Sequence, residues 1–315
     1  MNPDDIMLFA GSGSPRLAAR IAKCLGVALC KGETLKFSEG TLFVRVQENV
    51  RGRRVYLVQS TVFPTNDNFM ELLFWLDAFK RASAESVTAV IPYFSYQKGD
   101  KKDEPRVSIR ARVCADAIEA AGADRVVALD LHAPQLQGFF RIPMDNLYAL
   151  PVLCERLQAE QLRDVVVVAP DAGFAKDARR YASALSAPVA IADKARRDHD
   201  ERAEVFDIIG EVDGRTAVIV DDFTISGGTL VSAAEQLVAR GARDVYAMVS
   251  HGVLTEGSAE RIDASPIRKL IITDSVENQP VTLSGKIEVV SVAPLFAEAI
   301  RSIHYRKSIS VMFPD

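Results

Sequence analysis

Residues 216–229 read TAVIVDDFTISGGT and join a short apolar run to a loop of small and hydroxyl-bearing residues. The run TAVIV is apolar throughout, which is typical of a strand in a parallel sheet that helices cover on both faces. Two carboxylates follow this run, and apolar residues with helical spacing begin after Gly228. The stretch therefore predicts a strand, a loop and a helix of an α/β fold.

The loop of this unit has the chemistry of an anion site. Small residues let backbone N–H groups close around an anion, hydroxyls add donors, and the following helix contributes a positive dipole end. Paired carboxylates at its mouth can accept hydrogen bonds from vicinal hydroxyls. The constellation predicts a site for a phosphorylated sugar, formed by Asp221, Asp222, Thr224, Ser226, Gly227, Gly228 and Thr229. The alternative is a flexible glycine loop after an acidic strand end that binds nothing.

Similar apolar, β-branched runs recur along the chain, and each predicts a further strand. They occupy residues 53–60, 86–93, 125–132, 164–171, 188–193, 215–222 and 244–251. Segments with helical spacing lie between them. The apolar positions Leu72, Leu76 and Phe79, for example, fit one face of a helix. This alternation predicts a doubly wound α/β fold with mostly parallel sheets flanked by helices.

Two segments suggest an internal duplication. Residues 121–133 and 240–252 each run from a helix end through Gly-Ala to a strand that finishes in histidine. Because Gly-Ala helix ends are common, this correspondence is weak evidence. It predicts two similar α/β domains, residues 1–148 and residues 149–315.

Composition excludes several classes of protein. The 315 residues carry 38 Lys+Arg and 42 Asp+Glu, a net charge of −4 that disfavours a nucleic acid partner. No apolar stretch approaches the ~18 residues of a membrane span. The acidic start has no basic segment of a secretory signal, so we expect a cytoplasmic protein. The four cysteines form no C-x-x-C pair, and we expect reduced core residues rather than a disulfide framework or a zinc site.

Two nucleotide-binding motifs are absent or incomplete. Residues 11–16, GSGSPR, resemble a dinucleotide fingerprint but carry Arg16 in place of the third glycine, and no acidic strand end follows about 20 residues later. The sequence contains no G-x-x-x-x-G-K-[ST] loop. A Rossmann cofactor site and a Walker-type kinase are therefore rejected.

Two charged segments have a functional and a structural interpretation. Residues 193–202, DKARRDHDER, have the composition of a solvated loop, but Lys194 and Arg196 could also close over a phosphoryl group during its transfer. A second cluster joins Lys98, Lys101 and Lys102 to Asp100 and Asp103, and it too could be ordinary surface.

Over nearly its whole length the sequence resembles ribose-phosphate diphosphokinases, also called phosphoribosyl pyrophosphate synthases. The matching pieces are residues 64–73, 77–96, 121–140, 170–173, 220–222 and 291–304, among them PTNDNFMELL, AGADRVVALDLHAPQLQGFF, PDAG and VDD. The resemblance implies two phosphoribosyltransferase-like domains and Mg²⁺-dependent transfer of the diphosphoryl group of ATP to the anomeric hydroxyl of ribose 5-phosphate. It also implies a homo-hexamer or a smaller homo-oligomer.

The resemblance assigns roles to individual residues. Ribose 5-phosphate would bind the loop described above, Lys194 and Arg196 would be catalytic, and His132 and Asp171 would lie at the metal. Residues 171–174 match the pyrophosphate loop. ATP would contact Phe37, Glu39, Thr41, Lys98, Gly99, Asp100, Asp103 and His132, with Phe37 stacking on adenine from a neighbouring subunit.

The chain departs from the family pattern in its binding loops. This chain has Glu39-Gly40-Thr41 where the family usually has Asp-Gly-Glu. It has Lys98-Gly99-Asp100 where the family usually has Arg-Gln-Asp. Ile225 replaces a residue that is usually acidic, and Asn49 replaces a usual serine. These departures fall at positions that concern nucleotide choice and regulation. Two alternatives follow: a weakly active or inactive paralogue that regulates an active synthase, and a phosphoribosyltransferase that acts on a base.

Overall fold

The computed structural model describes residues 6–196, 204–277 and 279–312. The first half contains β1 (Met7–Ala10), α1 (Pro15–Leu25), β2 (Gly32–Lys36), β3 (Leu42–Val46), β4 (Arg54–Val58), α2 (Thr65–Arg81), β5 (Ser86–Ile91), α3 (Arg110–Ala121), β6 (Arg125–Leu129) and β7 (Met144–Leu147). The second contains α4 (Leu150–Gln158), β8 (Val165–Ala169), α5 (Ala175–Leu185), β9 (Val189–Arg196), β10 (Glu204–Ile209), β11 (Thr216–Thr224), α6 (Gly228–Ala239), β12 (Asp244–Gly252), α7 (Ser258–Asp263), β13 (Ile267–Thr273), β14 (Ile287–Val290) and α8 (Ala293–His304).

Two large sheets organise the described residues. The first has the strand order β1-β4-β5-β6-β7, and all its neighbouring strands are parallel. The second has the order β10-β9-β8-β11-β12-β13-β14 and is parallel except for the pair of β9 with β10. The interior residues of β4, β5, β6, β8, β11 and β12 are almost fully buried, as their apolar sequences predict. The predicted α/β class is confirmed.

The two sheets have matching connectivity, but the duplicated segments are not equivalent. The order β1-β4-β5-β6-β7 corresponds to β8-β11-β12-β13-β14, so β12 matches β5 rather than β6. The proposed correspondence of residues 121–133 with residues 240–252 is therefore shifted by one strand–helix unit. Its signal, a Gly-Ala helix end before a strand, recurs at any such unit.

One apolar core continues between the two sheets. Leu17 and Ile21 of α1 belong to the same buried cluster as Phe296 and Ile300 of α8. The chain therefore returns at its end to pack on its first helix. The boundary between residues 148 and 149 lies between β7 and α4, and as a domain boundary it stays a prediction.

The glycine-rich stretch before α1 is a packing motif. A Cβ atom on Gly11 would lie 2.1 Å from the side-chain oxygen of Gln59, and one on Gly13 would lie 2.2 Å from the carbonyl oxygen of Ser60. The backbone N–H groups of Arg16 and Leu17, at the start of α1, donate to the carboxylate of Glu277 at 3.0 Å. A side chain of the second half thus occupies this helix N-terminus.

Two antiparallel hairpins extend from the parallel strands. β2 pairs with β3, and β9 pairs with β10. The charged segment predicted as a loop begins as strand, because β9 continues to Arg196. Residues 197–203 lie outside the described part of the chain.

The cysteines occupy different environments. Cys114 and Cys154 are buried and Cys30 is partly buried, and all four cysteines are free thiols. Cys24 is exposed, so the expectation of a core residue is wrong there. It lies on α1 away from the buried face of Leu17, Ile21 and Leu25. Among the described residues, no helix is both long and apolar enough to span a membrane.

Candidate active site

A cleft of about 770 Å³ lies where the carboxyl ends of strands from both sheets meet. Parallel strands direct their carboxyl-terminal loops to one edge, where ligands of open α/β sheets bind. The lining residues are Lys98, Asp100, Lys101, Asp103, Arg110, His132, Asp171, Asp221, Asp222, Phe223, Thr224, Ile225, Ser226, Gly227, Gly228 and Thr229. The whole predicted sugar-phosphate loop therefore shares one cleft with four residues predicted to bind ATP and with both predicted metal ligands.

The predicted sugar-phosphate loop connects β11 to α6, and hydrogen bonds from the segment after β12 and from α7 to its carbonyl groups hold it in place. The Thr224 carbonyl accepts from the Val253 N–H at 2.9 Å, and the Ile225 carbonyl accepts from the Thr255 N–H at 3.0 Å. The Ser226 carbonyl accepts from the guanidinium of Arg261 at 2.6 Å. Because the first-turn amides of a helix have no intrahelical acceptor, those of α6 that follow Gly228 remain available to an anion.

Gly227 gives this loop its shape. Its φ of 75° is in the left-handed region, and a Cβ atom there would lie 3.3 Å from Cγ1 of Ile262. A glycine is therefore favoured at this residue by both conformation and space. The Ser226 hydroxyl accepts from the Gly228 N–H at 3.3 Å and closes the turn.

Asp221 and Asp222 belong to the last part of β11 rather than to the loop after it. The Asp222 N–H donates to the Asp221 carboxylate at 2.9 Å, and the Phe223 N–H donates to the Asp222 carboxylate at 2.8 Å. Burial and the adjacent Asp222 carboxylate hold the pKa of Asp221 well above its ordinary value. The pair therefore favours a cation or hydroxyl donors at the cleft.

His132 connects the two sheets at the cleft. It follows β6, and its Nδ1 atom lies 2.7 Å from Oδ2 of Asp222 on β11. Its backbone N–H donates to the buried side chain of Gln97 at 2.9 Å. The hydrogen bond to Asp222 raises the pKa of His132 above its ordinary value. The imidazole is thereby fixed in orientation while its Nε2 atom stays available to a ligand.

Lys98 contributes a cation to the same part of the cleft. Its ammonium group lies 3.8 Å from the centroid of the Phe223 ring, which is within cation–π range. Loss of hydration there lowers the pKa of Lys98, and the carboxylates of Asp222 and Asp221 act against that change. The side chain is therefore held above the Asp pair by an aromatic ring.

Asp171 follows β8 and lies in a tight turn. Its carboxylate accepts from the Phe174 N–H at 2.9 Å. A Cβ atom on Gly173 would lie 3.1 Å from that carboxylate, so the turn favours glycine. This is the predicted pyrophosphate turn, and it opens on the cleft.

The acidic groups of the cleft fit Mg²⁺ that arrives with a phosphate ligand. Within residues 6–196, 204–277 and 279–312, no three His, Cys, Asp or Glu side chains are grouped as a metal cluster. Mg²⁺ in phosphoryl-transfer sites is typically bound by one or two carboxylates and substrate oxygens rather than by a protein cage. The Asp171 carboxylate suits such a site, and His132 lines the same cleft.

Four residues predicted to bind ATP do not line the cleft. Phe37, Glu39 and Thr41 follow β2 at the turn of the first hairpin, and Phe37 is 47% exposed. The Thr41 hydroxyl donates to the Glu39 carboxylate at 2.6 Å and lowers the pKa of Glu39. The fourth predicted residue missing from the lining is Gly99, which is buried behind it.

Lys194 and Arg196 belong to the end of β9. This strand pairs with β8 only as far as Ile191 and then continues beside β10. Its last five residues therefore project past the carboxyl end of β8, the edge that carries Asp171. The side chains of Lys194 and Arg196 lie outside the described part of the chain.

Four cleft residues were not predicted as site residues: Lys101, Arg110, Phe223 and Ile225. Lys101 belongs to the charged cluster that could have been ordinary surface. Phe223 and Ile225 lie inside the glycine loop motif, and their neighbours could have identified them. Arg110 begins α3 and reaches the cleft through the return of the chain after residues 98–103. No local sequence signal distinguishes this arginine from a surface residue.

Comparison with known proteins identifies the family. The ribose-phosphate pyrophosphokinase of Caldanaerobacter subterraneus subsp. tengcongensis is 48% identical over 311 residues, which cover 98% of this chain and 98% of that protein. The chain belongs to the ribose-phosphate pyrophosphokinase family. The protein of the same name from Bacillus subtilis is 43% identical over 309 residues, covering 98% of this chain and 97% of that protein.

Family models and a solved structure agree with this assignment. The N-terminal domain of ribose phosphate pyrophosphokinase matches residues 6–122, and a phosphoribosyl synthetase-associated domain matches residues 202–314. The crystal structure of phosphoribosylpyrophosphate synthetase from Mycobacterium smegmatis has a TM-score of 0.89 and 37% identity, covering 96% of this chain and 99% of that one. The resemblance inferred from the motifs and the fold with two similar domains are confirmed.

Proposed function

We propose that this protein transfers the diphosphoryl group of ATP to the anomeric hydroxyl of ribose 5-phosphate, giving phosphoribosyl pyrophosphate and AMP. One observation carries the proposal: the loop between β11 and α6 lines the same cleft as His132, Lys98 and Asp171. The family name of its relatives supports the same reaction.

The sugar would bind on the side of the second sheet. Its 5-phosphate would accept hydrogen bonds from the N-terminal amides of α6 and from the hydroxyls of Thr224, Ser226 and Thr229. Asp221 and Asp222 would accept from the ring hydroxyls. This arrangement leaves the anomeric hydroxyl at the cleft centre, towards His132.

The nucleotide would bind on the opposite side. The triphosphate would meet Lys98 and His132, with Asp100 and Asp103 at the outer part of the cleft. Asp171 and His132 would hold Mg²⁺ together with phosphate oxygens. When bound, Mg²⁺ would neutralise charge on the transferred group.

The reaction then requires alignment more than covalent help from the protein. The anomeric oxygen attacks the β-phosphorus of ATP, the bond from that phosphorus to the α-phosphate bridging oxygen breaks, AMP leaves, and the hydroxyl proton passes to solvent. Lys194 and Arg196 would place positive charge beside the diphosphoryl group in the transition state of its transfer. Their position in the last five residues of β9, which project past the end of β8, supports this role.

Phe37, Glu39 and Thr41 would complete the adenine site of a neighbouring copy. Exposed apolar residues near this hairpin support contact between copies: Leu35 and Phe37 beside β3, and Met70 and Phe74 on α2. We propose a homo-oligomer of up to six chains. A cytoplasmic location follows from the proposed substrates, which are intracellular metabolites.

The decisive experiment follows AMP and phosphoribosyl pyrophosphate during incubation with ATP, Mg²⁺ and ribose 5-phosphate. We expect the two products in equal amounts, and none after removal of Mg²⁺ by a chelator. Asp222→Asn should reduce the rate strongly, whereas Glu256→Gln, an exposed acid outside the cleft lining, should not. Absence of AMP with several nucleotides, from an intact oligomer, would support the regulatory paralogue instead.

A further inference from the structure

Arg110 lies in the space that a side chain at residue 99 would need. A Cβ atom on Gly99 would lie 2.6 Å from Nε of Arg110 and 2.8 Å from its Cβ atom. These separations are shorter than van der Waals contact, so the two residues could not keep their positions if residue 99 had a side chain. The absence of a side chain at Gly99 and the presence of Arg110 in the cleft are linked.

Backbone hydrogen bonds fix the two residues relative to each other. The Gly99 N–H donates to the Tyr96 carbonyl at 2.8 Å, and the Ala111 N–H donates to the Gly99 carbonyl at 3.1 Å. The loop after β5 is thus bonded directly to the first turn of α3. The backbone at Arg110 therefore has a fixed position, although the residue is exposed.

The charge of Arg110 is not used by a neighbouring carboxylate in the part of the chain described by the structure. The other cations of this side have partners: Lys98 lies on the Phe223 ring, and Lys101 lies 3.9 Å from Asp103. Arg110 also lines an adjoining groove of about 410 Å³, so the residue borders open space on two sides. It is a positioned cation facing the nucleotide side of the cleft.

We propose that Arg110 binds the phosphates of ATP, and that Gly99 is required because it leaves room for this arginine. The inference rests on the proposed function for the identity of the nucleotide. A guanidinium can bind two phosphate oxygens at once, whereas the ammonium group of Lys98 acts as a point charge. Arg110 would thereby supply the planar, two-pronged contact that Lys98 cannot make.

The first test compares Arg110→Gln with Lys102→Gln, a neighbouring exposed lysine that does not line the cleft. Calorimetric titrations would use Mg²⁺–ATP, Mg²⁺–tripolyphosphate and ribose 5-phosphate. We expect Arg110→Gln to weaken ATP and tripolyphosphate by about tenfold or more, with ribose 5-phosphate within about twofold. Lys102→Gln should leave all three unchanged. Unchanged tripolyphosphate binding in Arg110→Gln would overturn the proposal, even if ATP were weakened.

The second test examines the coupling between the two residues. Gly99→Ala should weaken ATP and tripolyphosphate in the otherwise unchanged protein, because the new methyl group displaces Arg110. In an Arg110→Gly background the same change should add little, since the side chain that it displaces is gone. Equal effects of Gly99→Ala in both backgrounds would overturn the role given to Gly99.

These tests stand apart from the test of the reaction. Binding of tripolyphosphate is measured without turnover, and AMP formation by the unchanged protein is measured without any variant. Loss of AMP formation alone would refute the proposed reaction. Binding that is indifferent to Arg110, in a protein that does form AMP, would refute only the present inference.

Discussion

His132 Nδ1 and Asp222 Oδ2 lie 2.7 Å apart, although the two residues are 90 positions apart in the chain and belong to different sheets. Asp222 is nearly buried, with 11% of its side chain exposed, whereas 42% of the His132 side chain is exposed. Because a carboxylate only accepts, the hydrogen bond places a proton on Nδ1. This hydrogen bond therefore links the two sheets at the cleft.

Asp222→Asn should lower the pKa of His132. The hydrogen bond to Asp222 is the largest cause of the raised value, and desolvation acts in the opposite sense. Without the carboxylate, the proton leaves His132 at a lower pH than in the unchanged protein. Nuclear magnetic resonance of the imidazole C–H groups in metal-free protein would measure this.

Asp100→Asn is the matched control for that titration. Asp100 also raises the pKa of His132, but it is the smallest of the causes. The titration midpoint should therefore fall less in Asp100→Asn than in Asp222→Asn. Equal shifts in the two variants would contradict the direct hydrogen bond.

Gly227→Ala should destabilise the protein, and Gly228→Ala should not. Alanine in the left-handed conformation of Gly227 costs about 1 kcal/mol, and its methyl group would also contact Ile262. Gly228 begins α6, where alanine is favoured over glycine, and its added Cβ atom would meet Ser226 at an ordinary 3.4 Å. Denaturant unfolding of both variants would measure the difference.

The Gly227→Ala and Gly228→Ala variants also test the shape of the predicted sugar-phosphate loop. A strained residue 227 shifts the amides that would bind the sugar phosphate, so Gly227→Ala should raise the KM for ribose 5-phosphate while the KM for ATP changes little. An unchanged KM for ribose 5-phosphate would show that the loop tolerates the shift.

The sequence predicts most of the strands that are buried on both faces, but neither β13, which lies between β12 and β14, nor the edge strands β1 and β7. The runs VYLV of β4, VVVVA of β8 and AVIV of β11 are apolar throughout, which is typical of a covered parallel strand. β2 and β7 are short and partly polar, with sequences GETLK and MDNL. Their pairing depends on a neighbouring strand, β3 for β2 and β6 for β7, and local sequence does not encode such a neighbour.

The same distinction applies to the site. The residues of the loop 224–229 are consecutive, so its chemistry can be predicted from the sequence. The contact of His132 with Asp222 depends on how two sheets are placed, and the exclusion between Gly99 and Arg110 depends on a turn and a helix start being adjacent. These relationships join residues 90 and 11 positions apart, and only the fold brings them together.

Glu277→Ala should lower the stability of the protein. The Glu277 carboxylate accepts from the N–H groups of Arg16 and Leu17 and pairs with the Arg16 guanidinium at 2.7 Å. It therefore caps α1 from a segment of the second half. Loss of such a cap costs about 1 kcal/mol, which would appear as a lower thermal unfolding midpoint.

Glu277→Gln separates capping from charge. Its side-chain oxygen can still accept from one of the two N–H groups, so its midpoint should lie between those of the unchanged protein and Glu277→Ala. Glu256→Gln, at an exposed position, should have no effect. A Glu277→Ala midpoint equal to that of the unchanged protein would show that water caps this helix equally well.

Asp130 and His251 respond to pH in opposite senses at the junction of the sheets. Burial raises the pKa of Asp130 to about 6, although Ser250 and the Ala149 N–H donate to its carboxylate. Burial lowers the pKa of His251 to about 4, and its Nε2 atom lies 3.0 Å from the Leu129 carbonyl oxygen. The folded protein therefore keeps a proton on Asp130 below about pH 6 and withholds one from His251 down to about pH 4.

Asp130→Asn should make the protein more sensitive to acid. Below pH 6.5 the unfolded chain protonates His251 while the folded chain does not, so stability falls as the pH falls. Below pH 6 the folded chain protonates Asp130 while the unfolded chain does not, so stability rises and offsets that loss. Asp130→Asn removes the offset, and its free energy of unfolding should drop from pH 7 to pH 5 by on the order of 1 kcal/mol more than that of the unchanged protein.

Urea unfolding at pH 7, 6 and 5 would measure both slopes. His251→Gln gives the mirror experiment, because it leaves only the Asp130 effect, and its stability should rise relative to the unchanged protein as the pH falls. All other titrating groups are common to the three proteins and cancel in the differences. Parallel pH profiles for Asp130→Asn and the unchanged protein would mean that Asp130 titrates alike in the folded and unfolded states, which its partial burial beside Ser250 argues against.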